Sequence, residues 1–98
     1  MLIKIHKSYR NVIAICDSNL LGKKFEEDKI QLDLTGEFFN GEEKSEQEIL
    51  KIIENASTED ATFNIIGEKA TQLAIKAGII DKKGIRKIQG IPFALTLL

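Results

Sequence analysis

The chain has 98 residues, enough for one domain that buries about two thirds of its unfolded surface and too few for a second domain. Apolar residues make up 43% and charged residues 30% of the chain, a composition that excludes a low-complexity or disordered protein. One cysteine excludes an intramolecular disulfide, and no apolar run approaches the ~20 residues that a membrane helix needs. We therefore expect a single cytoplasmic domain over residues 1–98, without a secretory leader.

The amino-terminal half is predicted to be rich in antiparallel strands. Leu2–Lys7 alternates apolar and polar residues, Val12–Cys16 is more apolar, and the polar loop between them predicts a hairpin. The polar residues 17–19 end the second strand, because their side chains bond their own backbone in turns. Lys29–Leu34 alternates cleanly and is the third predicted strand. Asn40-Gly41 then predicts a reversal with positive φ.

A helix is predicted from Glu46 to Asn55. Ser45 followed by Glu48 has the spacing of a capping box, in which each residue satisfies a backbone N–H of the other. Behind it, apolar residues recur at helical spacing: Ile49, Ile52, Ile53 and Ala56. The polar residues 57–60 predict a connection to the next strand.

The carboxy-terminal half is predicted to form a strand, helix, strand unit. The β-branched and aromatic run Thr62–Ile66 ends at Gly67, and small apolar residues then recur at helical spacing up to Gly78. A strand that passes directly into a helix predicts a return strand, which we place near Gly84–Ile88. Pro92 has no N–H, so the last segment is predicted to be an edge strand or to begin with an unpaired residue.

These elements predict an α+β fold. It is a small single domain in which an antiparallel, β-rich N-terminal half packs on a βαβ-like C-terminal half with two helices.

The formal net charge of −1 hides an uneven distribution, since residues 1–24, 25–60 and 61–98 carry +4, −9 and +4. Such asymmetry allows a basic face for a polyanion, although the three segments can also intermix in space and only solvate the surface. The candidate nucleic-acid-binding residues are the basic positions Lys23, Lys24, Lys82, Lys83, Arg86 and Lys87. Only Phe93 offers a ring nearby, which disfavours sequence-selective reading of RNA or DNA and leaves contacts to backbone phosphates.

Gly67 and Lys69 are the candidate anion-binding residues. A glycine between a strand and a helix presents free N–H groups, and the helix dipole attracts an anion there. However, the run IIGEKA is not a phosphate-loop motif, and Glu68 places a negative charge at the same helix start. A plain strand-to-helix turn is therefore the alternative interpretation.

No catalytic residue, metal site or cofactor is predicted. His6 and Cys16 are the only residues of their types, so one chain cannot supply the usual four zinc ligands. The two residues also need not share a face of the hairpin, which disfavours a nucleophile pair. Cys16 is predicted to be a small core residue.

Four blocks of the sequence resemble a known family. In this order, CDSNLLGKKFEED, LDLTGEFFNGE, NIIGEKATQLAIKAGII and IQGIPFA are similar to the archaeal domain-of-unknown-function family 424. The resemblance spans nearly the whole chain and implies a small archaeal protein associated with translation and RNA processing, with no established catalytic residues. Phe39 stands where the family often has tyrosine, and Phe93 where it often has histidine, so any site that needs that histidine is missing here.

Three hypotheses for the function follow. The first is a non-enzymatic accessory protein that docks on RNA or on a ribosome-associated partner through basic residues, with affinity that falls as salt rises. The second is a protein or enzyme that binds a small phosphorylated ligand at the Gly67 turn and the loops around Asp17 and Gly41. The third is a protein-interaction module whose apolar tail, FALTLL, offers an edge strand to a partner.

Overall fold

Residues 1–56 and 60–97 are the part of the chain that the computed structural model describes. The eight strands are β1 (Leu2–His6), β2 (Asn11–Cys16), β3 (Lys24–Glu27), β4 (Ile30–Asp33), β5 (Glu42–Glu43), β6 (Ala61–Ile66), β7 (Arg86–Ile88) and β8 (Ile91–Leu97). The two helices are α1 (Glu46–Ala56) and α2 (Glu68–Lys76), and single turns of 3-10 helix lie at Ser18–Leu20 and Lys82–Gly84. None of the described helices is long and apolar enough to cross a membrane.

Six of the strands form one mixed sheet in the order β5-β1-β2-β6-β8-β7. The central neighbours β2 and β6 are parallel, with Cys16 opposite Ile66, and every other pair in the sheet is antiparallel. The remaining strands, β3 and β4, form a separate antiparallel ribbon. This architecture confirms the predicted α+β class, with two helices and a strand-rich sheet.

Each face of the sheet buries its own apolar cluster because side chains alternate along every strand. Helices α1 and α2 cover one face, and their core is built from Ile3, Ile13, Ile15, Ile49, Ile53, Ala61, Phe63, Ile65, Ala70, Leu73, Ala74 and Ile79. The β3–β4 ribbon and the loops around it cover part of the other face, where the buried residues are Leu2, Ala14, Cys16, Leu20, Leu34, Phe39 and Ile66. The ribbon therefore packs on the sheet and does not extend it.

The predicted capping box begins helix α1. The Ser45 N–H donates to Glu48 Oε1 at 3.1 Å, and the Glu48 N–H donates to Ser45 Oγ at 3.2 Å. The helix runs to Ala56, close to the predicted end. The predicted polar connection at 57–60 lies mostly outside the described residues, since 57–59 are not among them.

Strand β8 has a neighbouring strand on both sides only near its start. β7 pairs with Ile91–Phe93, so the strand is internal there, and within the described residues positions 94–97 form the predicted edge. The return strand β7 runs parallel to β6, as a βαβ unit requires, but β8 lies between them. Pro92 fits there because its backbone faces Gly67, whose N–H donates to the Pro92 carbonyl at 2.9 Å. Pro92 has no N–H to donate to the Gly67 carbonyl. That carbonyl accepts instead from the Thr71 N–H at 2.9 Å, so it is not left without a donor.

Two details of the amino-terminal half also differ from prediction. The third predicted strand exists as β4, but it pairs with the highly charged and unpredicted β3 instead of the main sheet. Neither Asn40 nor Gly41 has a positive φ, so that part of the turn prediction is wrong. Glycine is required at 41 by a close approach instead, because a Cβ there would overlap the Ile3 carbonyl and lie 2.8 Å from Lys4 Cβ.

Candidate functional site

The carboxyl ends of the two parallel strands lie side by side, the place where open sheets with parallel strands most often bind ligands. Asp17 directly follows β2, and Gly67 directly follows β6. The Asp17 N–H donates to the Ile66 carbonyl at 3.1 Å, which joins the two strand ends beyond the regular ladder. The first turn of α2 starts at this point, so its free N–H groups face the Asp17 side chain.

The Asp17 carboxylate caps helix α2. Its Oδ2 accepts from the Lys69 N–H at 3.1 Å, and its Oδ1 accepts from the Ala70 N–H at 2.8 Å. The side chain is 9% exposed, so the negative charge lies at the positive end of the helix dipole with little water around it. An aspartate from another strand thus satisfies donors that a helix usually satisfies with its own preceding residue.

Gly67 allows this close approach. It has φ 119°, a backbone conformation that L side chains rarely adopt, and a Cβ there would lie 2.6 Å from Asp17 Oδ1. The predicted anion site at Gly67 and Lys69 stays a prediction, and an external anion at these N–H groups would have to displace the carboxylate. The sequence reasoning missed the role of Asp17, although an acidic residue just after a buried strand was the available signal.

Polar residues surround this cap on the exposed side. Ser18 Oγ donates to Glu43 Oε1 at 2.5 Å, and the amino group of Met1 contacts the same carboxylate. These hydrogen bonds, the one from the amino group first, lower the pKa of Glu43 below its usual value. A shallow cavity of about 450 Å³ lies beside Asp17 and is lined by Met1, Asp17, Ser18, Asn19, Glu68 and Lys69.

A larger cavity, of about 540 Å³, lies between the start of α1 and one side of α2. Three lysines line it, namely Lys44, Lys69 and Lys76, together with Met1, Ser45, Glu46, Gln72 and Leu73. Lys76 Nζ is 3.6 Å from Glu46 Oε1, and Lys44 Nζ is 3.3 Å from Glu42 Oε2 and 3.9 Å from Glu48 Oε2. Since the three glutamates are solvent-exposed, they compensate only part of the positive charge.

Four of the six predicted nucleic-acid-binding residues lie together at the outer edge of the sheet. Lys82 and Lys83 are in the 3-10 turn before β7, and Arg86 and Lys87 are in β7 itself; all four are exposed. The Arg86 guanidinium lies 5.8 Å from the centre of the Phe93 ring. These residues form one basic edge, which we define as residues 82–87.

The other two predicted residues, Lys23 and Lys24, belong to the ribbon. The ribbon touches the turn after β7, where the Gln89 N–H donates to Glu27 Oε1 at 3.0 Å and the Gln89 side chain to the Glu26 carbonyl at 2.7 Å. The ribbon residues that meet this turn are therefore acidic, and Lys24 Nζ lies 3.5 Å from Glu26 Oε1. All six cations stay predicted nucleic-acid contacts.

Cys16 and His6 lie on one face of the β1–β2 hairpin but at opposite ends of it, opposite Leu2 and Val12 respectively. Burial, and secondarily the negative charge of Asp17, raises the pKa of the Cys16 thiol to about 11. The His6 ring stacks on Phe38 at 4.5 Å between centroids. Within the described residues, no three His, Cys, Asp or Glu side chains are grouped closely enough to hold a metal ion.

The fold and this site define a small α+β domain with a mixed sheet. In it, the carboxylate of Asp17 at the end of β2 caps helix α2, which follows the neighbouring strand β6. Residues 6–97 match the model of the family described as "Protein of unknown function (DUF424)". The chain belongs to this family, which confirms the resemblance seen in the sequence.

Among solved structures, the chain is similar to an uncharacterized conserved protein from Methanopyrus kandleri. The TM-score is 0.87 at 24% sequence identity, with 98% of this chain and 89% of that chain covered. At this identity the similarity shows the fold alone. A comparison with curated proteins gave no match.

Proposed function

We propose that this protein is a non-enzymatic accessory factor that docks on RNA or on a ribonucleoprotein through its basic edge. The observation that carries the proposal is that three lysines of that edge have no acidic partner among the residues described. Within the part of the chain that the structure describes, Lys82, Lys83 and Lys87 form no ion pair with a carboxylate. Cations without such partners are free to neutralise phosphates and release their counterions.

The position of the basic edge supports contact with a large polyanion. Strand β7 is one of the two edge strands of the sheet, and the side chains of Arg86 and Lys87 on it are exposed. Glu26 and Glu27 lie next to the turn that follows β7 and limit the positive surface on that side. The proposed contact is therefore with the turn at Lys82–Gly84 and the start of β7.

The proposal favours binding over catalysis because of how Asp17 is held. Asp17 is a buried carboxylate at the carboxyl ends of the parallel strands, and each of its oxygens accepts from a backbone N–H. A carboxylate in this role stabilises the start of a helix, and the proposal assigns it no catalytic part. The expected location is the cytoplasm of an archaeal cell, where translation and RNA processing take place.

The first test is retention of the purified protein on total archaeal RNA and on ribosomal subunits at low and at moderate salt. We expect retention that fades as salt rises and that is lost in a variant carrying both Lys83→Glu and Arg86→Glu. Lys51→Glu, on the exposed side of α1, is the matched control and should leave retention unchanged. Failure to associate at low salt, or equal loss in the control, would contradict the proposal.

The lysine-lined cavity beside α2 favours a second candidate, the binding of a small phosphorylated ligand. Lys44, Lys69 and Lys76 place three positive charges around about 540 Å³, enough space for a small metabolite. Titration with inorganic pyrophosphate, followed by calorimetry on the native chain and on Lys69→Ala, tests it. Heat that saturates in the native chain and disappears in the variant would support this candidate.

A further inference from the structure

The outer edge of strand β8 has no partner strand over most of its length. On the inner side, β6 pairs with β8 from Phe93 to Leu97. On the outer side, β7 pairs only with Ile91–Phe93, because the chain upstream of Arg86 turns away through the turn at Lys82–Gly84. Within the described residues, positions 94–97 of β8 are therefore open on their outer side.

The ladder determines which backbone groups point outward at this open edge. The Pro92 carbonyl accepts from Gly67, so the backbone of Pro92 faces β6. Because backbone groups alternate sides along a strand, those of Ala94 and Thr96 also face β6, and those of Leu95 and Leu97 face outward. Two N–H groups and two carbonyls are thus available to pair with another strand.

The side chains beside the open edge suit a strand with apolar residues on one face. Leu95 is 69% exposed, although it is a large apolar residue in a sheet. It lines a cavity of about 210 Å³ between the sheet and the ribbon, whose walls include Leu32, Phe39 and Phe93 and the polar Gln31, Asp33 and Asn64. A strand added next to Leu95 would bring alternate side chains against this leucine and beside the cavity.

The charges around the open edge determine which kind of strand fits. Lys82 and Lys83 lie in the turn just upstream of β7, and Arg86 lies directly opposite Phe93, one residue before the open stretch. The added strand would lie in line with β7, so one of its ends meets these cations. A second copy of the chain fits less well, since its own segment 94–97, with the sequence ALTL, has no acidic residue to meet these cations.

We propose that the outer edge of β8, at 94–97, binds an extended peptide segment of a partner protein as an added strand, with apolar residues on the face that meets Leu95 and acidic residues at the end that meets the basic edge. The backbone of Leu95 and Leu97 supplies the hydrogen bonds, and the exposed Leu95 side chain packs against the apolar residues. The cations of the basic edge meet the acidic end. This surface overlaps the phosphate contact proposed above at Lys82, Lys83 and Arg86, and adds to it the backbone edge at 94–97.

The test uses the full chain labelled with ¹⁵N and an acetylated peptide of about eight residues that alternates Val and Thr and carries two Asp residues at one end. Amide hydrogen exchange is measured by NMR with and without the peptide. We expect the Leu95 and Leu97 amides to exchange about tenfold more slowly in the complex, since each gains a hydrogen bond of ordinary strength. Unchanged exchange of both amides at a saturating peptide concentration would overturn the proposal.

Variants separate the edge from other surfaces. Leu95→Pro removes an outward N–H that β6 does not use, and Leu95→Asp places a like charge beside the peptide; each should weaken binding about tenfold. Ile5→Asp, at a residue 43% exposed on β1, is the matched control and should bind as the native chain does. Circular dichroism verifies that all three variants fold, and equal weakening by Leu95→Asp and Ile5→Asp counts against the proposal.

The same spectra distinguish a peptide from RNA at this edge. A single-stranded RNA of similar charge replaces the peptide in a parallel titration. Slower exchange of Leu95 and Leu97 with RNA but not with the peptide would overturn the peptide proposal. Shifts confined to residues 82–87 with RNA, beside protection of the edge by the peptide, would support both proposals independently.

Discussion

The Asp17 carboxylate fills the space that a side chain on Gly67 would need. A Cβ on Gly67 would lie 2.6 Å from Asp17 Oδ1, well inside van der Waals contact. The same carboxylate binds two N–H groups of α2, so the end of β2, the end of β6 and the start of the helix are held together at one point. Changes at either residue should therefore affect the other.

Gly67→Ala should lower the free energy of unfolding. The positive φ alone costs about 1–3 kcal/mol for a residue with a side chain, and the clash also pushes Asp17 away from the helix. Urea denaturation followed by circular dichroism measures the change. Gly84→Ala is the control, because its φ is not positive and no atom lies within 4 Å of its added Cβ, so near-native stability is expected.

Asp17→Ala should destabilise the protein by about 0.5–2 kcal/mol, because the Lys69 and Ala70 N–H groups lose their acceptor. Asp17→Asn keeps one oxygen acceptor and should cost less. The same urea experiment serves, with Asn19→Ala, an exposed residue of the same turn, as the reference. If both substitutions at Asp17 left stability unchanged, the capping role would be refuted.

The Cys16 thiol should resist alkylation in the native protein. Its pKa is raised from 9.0 to about 11, first by burial and then by Asp17, so almost no thiolate exists near neutral pH. Iodoacetamide at pH 8 should modify the chain in urea but not in buffer, as mass spectrometry would show. Equal rates in both conditions would mean that the thiol is accessible.

The raised thiol pKa also predicts a loss of stability in alkaline solution. The contribution of the protonated thiol to the free energy of unfolding is complete below the pKa of the unfolded chain, 9.0. It is lost as pH rises towards about 11, because the thiol ionises first in the unfolded chain. Cys16→Ala should reduce this decline in a series of denaturation curves at increasing pH. An unchanged decline in the variant would assign it to other groups, such as the lysines.

The Glu48 carboxylate of the α1 capping box should contribute more to stability at neutral pH than in acid. The backbone N–H of Ser45, and then its side chain, lower the pKa of Glu48 from 4.5. A carboxyl pKa that is lowered in the folded protein gives a contribution to stability that is complete above pH 4.5. This contribution is lost as pH falls through the pKa of the folded protein. Glu48→Gln should flatten the acid side of the profile of stability against pH. The double variant with Ser45→Ala should lose less stability than the sum of the losses in the two single variants.

The basic edge and the predicted anion site show which groupings of residues a local sequence pattern can predict. The sequence identified Lys82, Lys83, Arg86 and Lys87 as a group because they are near in the chain, and they remain near in the fold. It could not place Lys23 and Lys24, since their neighbours depend on how the ribbon packs. It also could not show that Asp17, 52 residues before Lys69, occupies the start of α2.

The sequence alone determined the elements whose signals are local. Helix α1, helix α2 and strand β6 were predictable, because helical spacing, a capping box and a β-branched run act within a few residues. The tertiary structure decided which strands are neighbours. The place of β8 between β6 and β7, and the pairing of the charged β3 with β4, depend on contacts between distant segments, which no local pattern specifies. The Asp17 cap and the open edge of β8 both follow from those long-range choices.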